Sequence, residues 1–157
     1  MTTITAQDFQ ATAANALERM AFVFTEPATE TLGEVLAHAC AHATIEISGD
    51  SHRAWILVSA TRGFLGEVAA SMMGVEAEEI DIDEHAEATV HELANVLGGE
   101  LVMAMGGADT PLRLSLFETL DDATVGERID EVSSGEHGWT TVLKADSGFL
   151  MIACRSH

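Results

Sequence analysis

Apolar and polar positions along this chain switch repeatedly between a helical period and a strand alternation. Phe9, Ala13, Ala16, Leu17, Met20 and Phe24 recur at helical spacing, predicting a helix over residues 5–24 that Glu26-Pro27 ends. Residues 32–43 carry helix formers and read either as helix or as partly extended. Residues 44–48 and 54–59 alternate around Gly49-Asp50-Ser51 and predict a hairpin. Residues 62–73 are helical, with Phe64, Leu65, Val68, Ala69, Met72 and Met73 as the apolar set and Gly74 as the stop. An acidic loop follows over residues 75–84. A central helix then starts near residue 86 and ends somewhere between 97 and 105. Gly106-Gly107-Ala108-Asp109 is a turn, residues 112–117 alternate like a strand, and residues 121–134 read as a turn with a short irregular piece. Residues 138–144 and 149–154 flank Ala145-Asp146-Ser147-Gly148 as a final hairpin. The order of elements predicts one α+β domain over residues 1–157, a mostly antiparallel sheet covered by long helices. Its open face could pair with a second copy.

The central helix divides sharply. At ~100° per residue, Val90, Leu93, Ala94, Leu97, Leu101, Ala104 and Met105 fall within an arc of roughly 120° and form its buried stripe. Glu92, Asn95, Ala88 and Gly99 fall on the opposite side. A carboxylate and a carboxamide three residues apart share a face, and small residues stand one turn before and one turn after them. Two adjacent glycines inside a helix cost about 1 kcal/mol each relative to alanine. Gly98-Gly99 therefore either ends the helix or makes room for close contact. A polar pair on so bare a surface suits entry into another molecule's pocket.

Composition narrows the partners. The chain has 157 residues, 47% of them hydrophobic, and a formal net charge of −19. That is enough apolar material for a core. The charge disfavours phosphate backbones and anionic lipids, so neither nucleic acid nor membrane is expected as a partner. No apolar run approaches the ~20 residues that span a bilayer. The first residues lack the basic and apolar regions of a signal peptide. Cys40 and Cys154 are expected as two buried thiols in a reducing cytoplasm.

Other chemistries find little support. His38-Ala-Cys40-Ala-His42 would place two imidazoles on one face of a helix, a metal-binding geometry, but no third ligand stands nearby. A partly exposed pair at a helix edge is the plainer reading. His91-Glu92 lacks the second histidine of a zinc protease, and no nucleophile elbow, phosphate loop or dinucleotide fingerprint is present. Trp55, Trp139 and Phe117 lie in strand patterns and read as core or interface. Met72, Met73, Met103 and Met105 read as core filler.

Glu92-Leu93-Ala94-Asn95, followed by Val96-Leu97-Gly98-Gly99 and preceded by the helix Gly63-Phe-Leu-Gly-Glu-Val-Ala-Ala-Ser-Met-Met-Gly74, resembles the CheC/CheX-type chemotaxis phosphatases, in particular their CheX-like branch. The succession of elements agrees over nearly the whole chain. The resemblance implies stimulated hydrolysis of the phospho-aspartate on a CheY-like response regulator. Glu92 and Asn95 become the catalytic residues. No cofactor belongs to the chain itself, and Mg²⁺ is expected in the partner receiver. A homodimer is expected as well. The family pattern departs at two positions: Ala88 stands where an Asp or Ser is usual, and Phe117 where a proline is usual. These departures keep open a non-catalytic CheX-like module that binds a receiver or another signalling protein.

Overall fold

The computed structural model describes residues 3–106, 111–115 and 117–157. Five α-helices and seven strands appear among them: α1 (Ala6–Ala21), β1 (Glu26–Pro27), α2 (Leu32–Ala37), β2 (Ala39–Ser48), β3 (Arg53–Thr61), α3 (Arg62–Met73), α4 (Ile82–Gly106), β4 (Arg113–Leu114), β5 (Glu118–Thr119), α5 (Asp122–Ser134), β6 (Gly138–Ala145) and β7 (Gly148–Ser156). A 3₁₀ turn, Ala77–Glu79, precedes α4. The strands form one sheet in the order β1-β6-β7-β3-β2-β4, with β5 also on β2, and every pairing is antiparallel. This is the α+β architecture that the pattern predicts.

β3 shows why the sheet has two covered faces. After Arg53 the whole strand is buried. Ala54, Ile56, Val58 and Ala60 point into one core with residues of α1, α3 and α4. Trp55 and Leu57 point the other way, against Val35 of α2 and Val125, Ile129 and Val132 of α5. A strand buried on both faces loses polar alternation and becomes a continuous apolar run. The second face, expected to be free for another copy, is therefore covered by α2 and α5.

Several expectations are corrected here. The first helix stops at Ala21, because Phe22 takes a left-handed conformation (φ 51°) and its N–H bonds back to the Glu18 carbonyl. Phe24 is thereby off the stripe and 68% exposed, and Glu26-Pro27 pairs with β6 instead of ending a helix. Residues 32–43 divide into α2 and the start of β2. Residues 122–134 are a full helix whose N-cap, Asp121, accepts a hydrogen bond from the Thr124 N–H. The acidic loop is shorter than expected, since α4 begins at Ile82. Of the strand expected over residues 112–117, β4 covers Arg113–Leu114, Leu112, Ser115 and Phe117 are outside any strand, and residue 116 lies outside the described residues; β5 begins at Glu118. The turn at residues 106–109 lies outside the described residues except for Gly106, which closes α4. Met72, Met73 and Met103 are exposed, whereas Met105 is buried. Cys40 is exposed, not buried; Cys154 is buried, and burial pushes its thiol up to about 12.

The turn between β6 and β7 is clamped by the start of α3. The Phe149 N–H donates to Thr61 Oγ1 at 3.0 Å, and the Ser147 hydroxyl donates to the Glu67 carboxylate. The approach is so close that a Cβ on Gly63 would lie 2.1 Å from the Ser147 carbonyl oxygen, and one on Gly148 would lie 2.3 Å from Thr61 Oγ1. Gly63→Val and Gly148→Val are each expected to lower unfolding free energy by about 1–3 kcal/mol or more in urea denaturation. A thiol reagent at neutral pH should modify Cys40 in the native protein and Cys154 only after unfolding.

Candidate functional site

The exposed ridge of α4 is the part of the molecule most clearly built to be presented. Its opposite side is anchored along the helix: Val90, Leu93, Ala94, Leu97, Leu101 and Met105 are buried against the sheet and neighbouring helices. Ala104, assigned to the stripe from the sequence, lies at its half-buried margin. Arg62 at the start of α3 pairs with Asp83 in the first turn, and this guanidinium holds the Asp83 carboxyl below its ordinary range.

The two glycines do different work. A Cβ on Gly98 would meet Ile45 Cγ2 at 3.1 Å and Leu114 Cδ2 at 3.3 Å, so the bare backbone seats α4 on the sheet. Gly99 faces open space, with nothing within 4 Å of a Cβ. The helix runs through both and ends at Gly106. Close contact explains Gly98, termination explains neither, and Gly99 leaves the outer surface bare.

Glu92, Asn95 and Ala88 are exposed on the ridge, and Gly99 is half-buried beside them. Among the described residues, neither the Glu92 carboxylate nor the Asn95 carboxamide has a hydrogen-bond or ion-pair partner. The helix holds two polar heads outward on a seat that cannot roll, and their bonding capacity is uncommitted.

Two flanks border the ridge. On one, Arg19 of α1 reaches across to Glu100 at 2.7 Å. On the other, the β4–β5 edge lies against α4. His91 Nε2 meets Thr119 Oγ1 at 2.8 Å, and the Thr119 hydroxyl donates to Glu87 Oε1 at 3.0 Å. The Phe117 ring stacks on the His91 imidazole, with centroids 3.9 Å apart and planes at 25°. No local spacing links residues 87 and 91 to residues 117 and 119, so this grouping exists only in the folded chain.

The histidine–cysteine grouping does not assemble. His38 closes α2, whereas Cys40 and His42 belong to β2, so the expected helical face does not exist. No group of three potential metal ligands occurs among the described residues. His42 is instead buried between Ser59 Oγ and Asp122 Oδ1, each at 2.7 Å. That chain of groups has the composition of a nucleophilic triad, but Ser59 is wholly buried between strands and cannot meet a substrate. It joins the start of α5 to the sheet.

The model of the chemotaxis phosphatase CheX family matches residues 41–133, more than half of the chain, and the chain belongs to that family. Solved structures share the fold. The chemotaxis protein CheX of Vibrio vulnificus is 15% identical with a TM-score of 0.69, over 97% of this chain and 95% of that one. CheX of Desulfovibrio desulfuricans is 16% identical with a TM-score of 0.65, over 97% and 98%. CheX of Borrelia burgdorferi, in a complex with CheY, BeF₃ and Mg²⁺, is 12% identical with a TM-score of 0.63, over 99% of each chain. No curated protein matches the sequence significantly. No helix among the described residues is long and apolar enough to cross a membrane.

The glycines make the seating testable. Gly99→Ala should raise stability by up to about 1 kcal/mol through helix propensity alone. Gly98→Leu should lower it by about 1–3 kcal/mol, because the side chain must displace Ile45 and Leu114. Paired urea or thermal melts read both.

Proposed function

We propose that this chain stimulates hydrolysis of the phospho-aspartate of a CheY-type receiver domain, using Asn95 to orient the attacking water and Glu92 to dock the receiver. The observation that carries the reading is the uncommitted Glu92–Asn95 pair on the outer ridge of a firmly seated helix. Membership of the CheX family supports the reaction class, and the Borrelia relative, which shares the fold, is found with CheY.

An acyl phosphate is already reactive, so a helper needs neither a nucleophile nor a metal of its own. In the proposed complex, Mg²⁺ and a lysine belong to the receiver and neutralise the phosphoryl oxygens. The Asn95 amide oxygen accepts a hydrogen bond from a water molecule and holds it in line with phosphorus. Water oxygen bonds to phosphorus as the phosphorus–oxygen bond to the aspartate breaks, releasing the carboxylate and inorganic phosphate. Placement of one water in this way can supply several kcal/mol of the barrier. The Glu92 carboxylate pairs with the receiver lysine, and partial exclusion of water at the interface makes this contact stronger than a surface ion pair. Gly99 leaves room beside Asn95 for the receiver's surface. A homodimer is part of the same proposal, and light scattering in solution reads it.

A second reading is a module of the same fold that binds a receiver without accelerating hydrolysis. Ala88 favours it, since a polar side chain usual one turn before the Glu is missing.

Decay of radiolabel from a phosphorylated CheY-type receiver separates the two. Asn95→Ala should reduce stimulated hydrolysis by about two orders of magnitude while binding persists. Glu92→Ala should weaken binding about tenfold and slow the reaction. Binding without any stimulation by the unsubstituted protein would establish the second reading, and undiminished stimulation by Asn95→Ala would refute the role of the carboxamide.

A further inference from the structure

We infer that Phe117, braced on His91, is a second receiver-contacting residue that governs affinity for the phosphorylated partner. The inference rests on the function proposed above.

The first observation is register. Between the pairs Ile47↔Leu114 and Thr44↔Glu118, β2 moves three positions while the edge segment moves four. The edge is therefore one residue longer than the stretch of β2 that it spans. Residues 114 and 117 are an odd number apart, so a regular strand would send them to opposite faces. Here both meet α4: Leu114 lies beside Gly98, and Phe117 stacks on His91. Phe117 thus faces α4 and not the side that strand alternation would give it.

The second observation is placement. His91 and Asn95 are four residues apart on α4, so their Cβ atoms are about 6 Å from each other along one row. A ring stacked on His91 therefore stands on a residue that shares a row of α4 with Asn95, one turn away. Ala88, one turn back, carries only a methyl group. The position where the family pattern has a polar side chain is thus bare.

The third observation is support. Phe117 is 44% exposed, yet the imidazole under it is only 13% exposed and is tied to Thr119, which is itself tied to Glu87. The ring is therefore held before any partner arrives. Aromatic groups fixed at the margin of a polar site are frequent sources of binding energy, because they bury large area at small entropic cost. The occupant is the receiver, because the ring is continuous with the Glu92–Asn95 ridge on which the receiver is proposed to sit.

The test uses the full chain and the CheY-type receiver on which the unsubstituted protein is active, labelled at its phospho-aspartate. Phe117→Ala should raise KM about fivefold or more with kcat within about twofold. Phe117→Tyr should restore KM. His91→Ala should raise KM similarly, and adding it to Phe117→Ala should raise it little further, since the two act as one unit. An unchanged KM, or a fall in kcat alone, in Phe117→Ala would overturn the inference while leaving the role of Asn95 intact. Undiminished stimulation by Asn95→Ala would overturn the function on which it rests. A photo-crosslinking side chain at position 117 gives an independent reading that needs no truncation. An adduct with the receiver loaded with beryllium fluoride, a phosphoryl mimic, is expected, and its absence would count against the contact.

Discussion

Everything presented on the surface of this protein depends on the seating of α4 against β2 and β3. A helix of 25 residues buries one unbroken stripe, and at Gly98 its backbone comes within reach of Ile45 and Leu114. The apolar stripe determines which side faces the sheet. The glycine contact determines how deeply the helix sits. Turning the helix by a single residue would expose leucines and press Glu92 or Asn95 toward the core, at a cost of several buried side chains. The direction of the carboxamide is therefore a consequence of packing on the far side of the same helix.

The rest of the molecule supplies boundaries to that ridge. α1 contributes Arg19, which holds Glu100 on one side. The interrupted edge of the sheet contributes Phe117 and Thr119 on the other, fastened through His91 and Glu87. The edge pieces β4 and β5 contribute only two residues each to the sheet, yet Phe117 between them sets its ring against α4. On the opposite face of the sheet, α2 and α5 cover Trp55, Leu57 and Met151, and the buried His42 links Ser59 to Asp122. These groups form a tie between two layers, buried at Ser59 and His42 and open to solvent at Asp122. The Glu92–Asn95 pair, without a polar partner among the described residues, lies across the sheet from it, on α4.

Much of this was legible from residue order because the physics involved is local. The stripe of α4, the hairpins, α3 with its Gly74 stop at φ 70°, and the exposure of Glu92 and Asn95 all follow from periodicity. Where reading failed, a nonlocal force decided. Phe24 continues the period of α1, but the chain had already turned at Phe22. α5 has only Val125, Ile129 and Val132 to bury, too thin a stripe to stand out, and becomes a helix because the second sheet face needs cover. Met72, Met73 and Met103 are apolar without being needed inside. His38 and His42 share a helical spacing that means nothing once β2 begins between them.

Residue order alone determined the periods, the caps and the chemical identity of the Glu92–Asn95 pair, because each depends on neighbours within a few positions along the chain. Tertiary structure alone decided which apolar residues are covered, that α4 passes through its glycines, and that Phe117 comes onto His91. Those outcomes depend on groups that lie far apart in sequence and meet only when sheet and helices close on one another, where excluded volume and burial outweigh local preference.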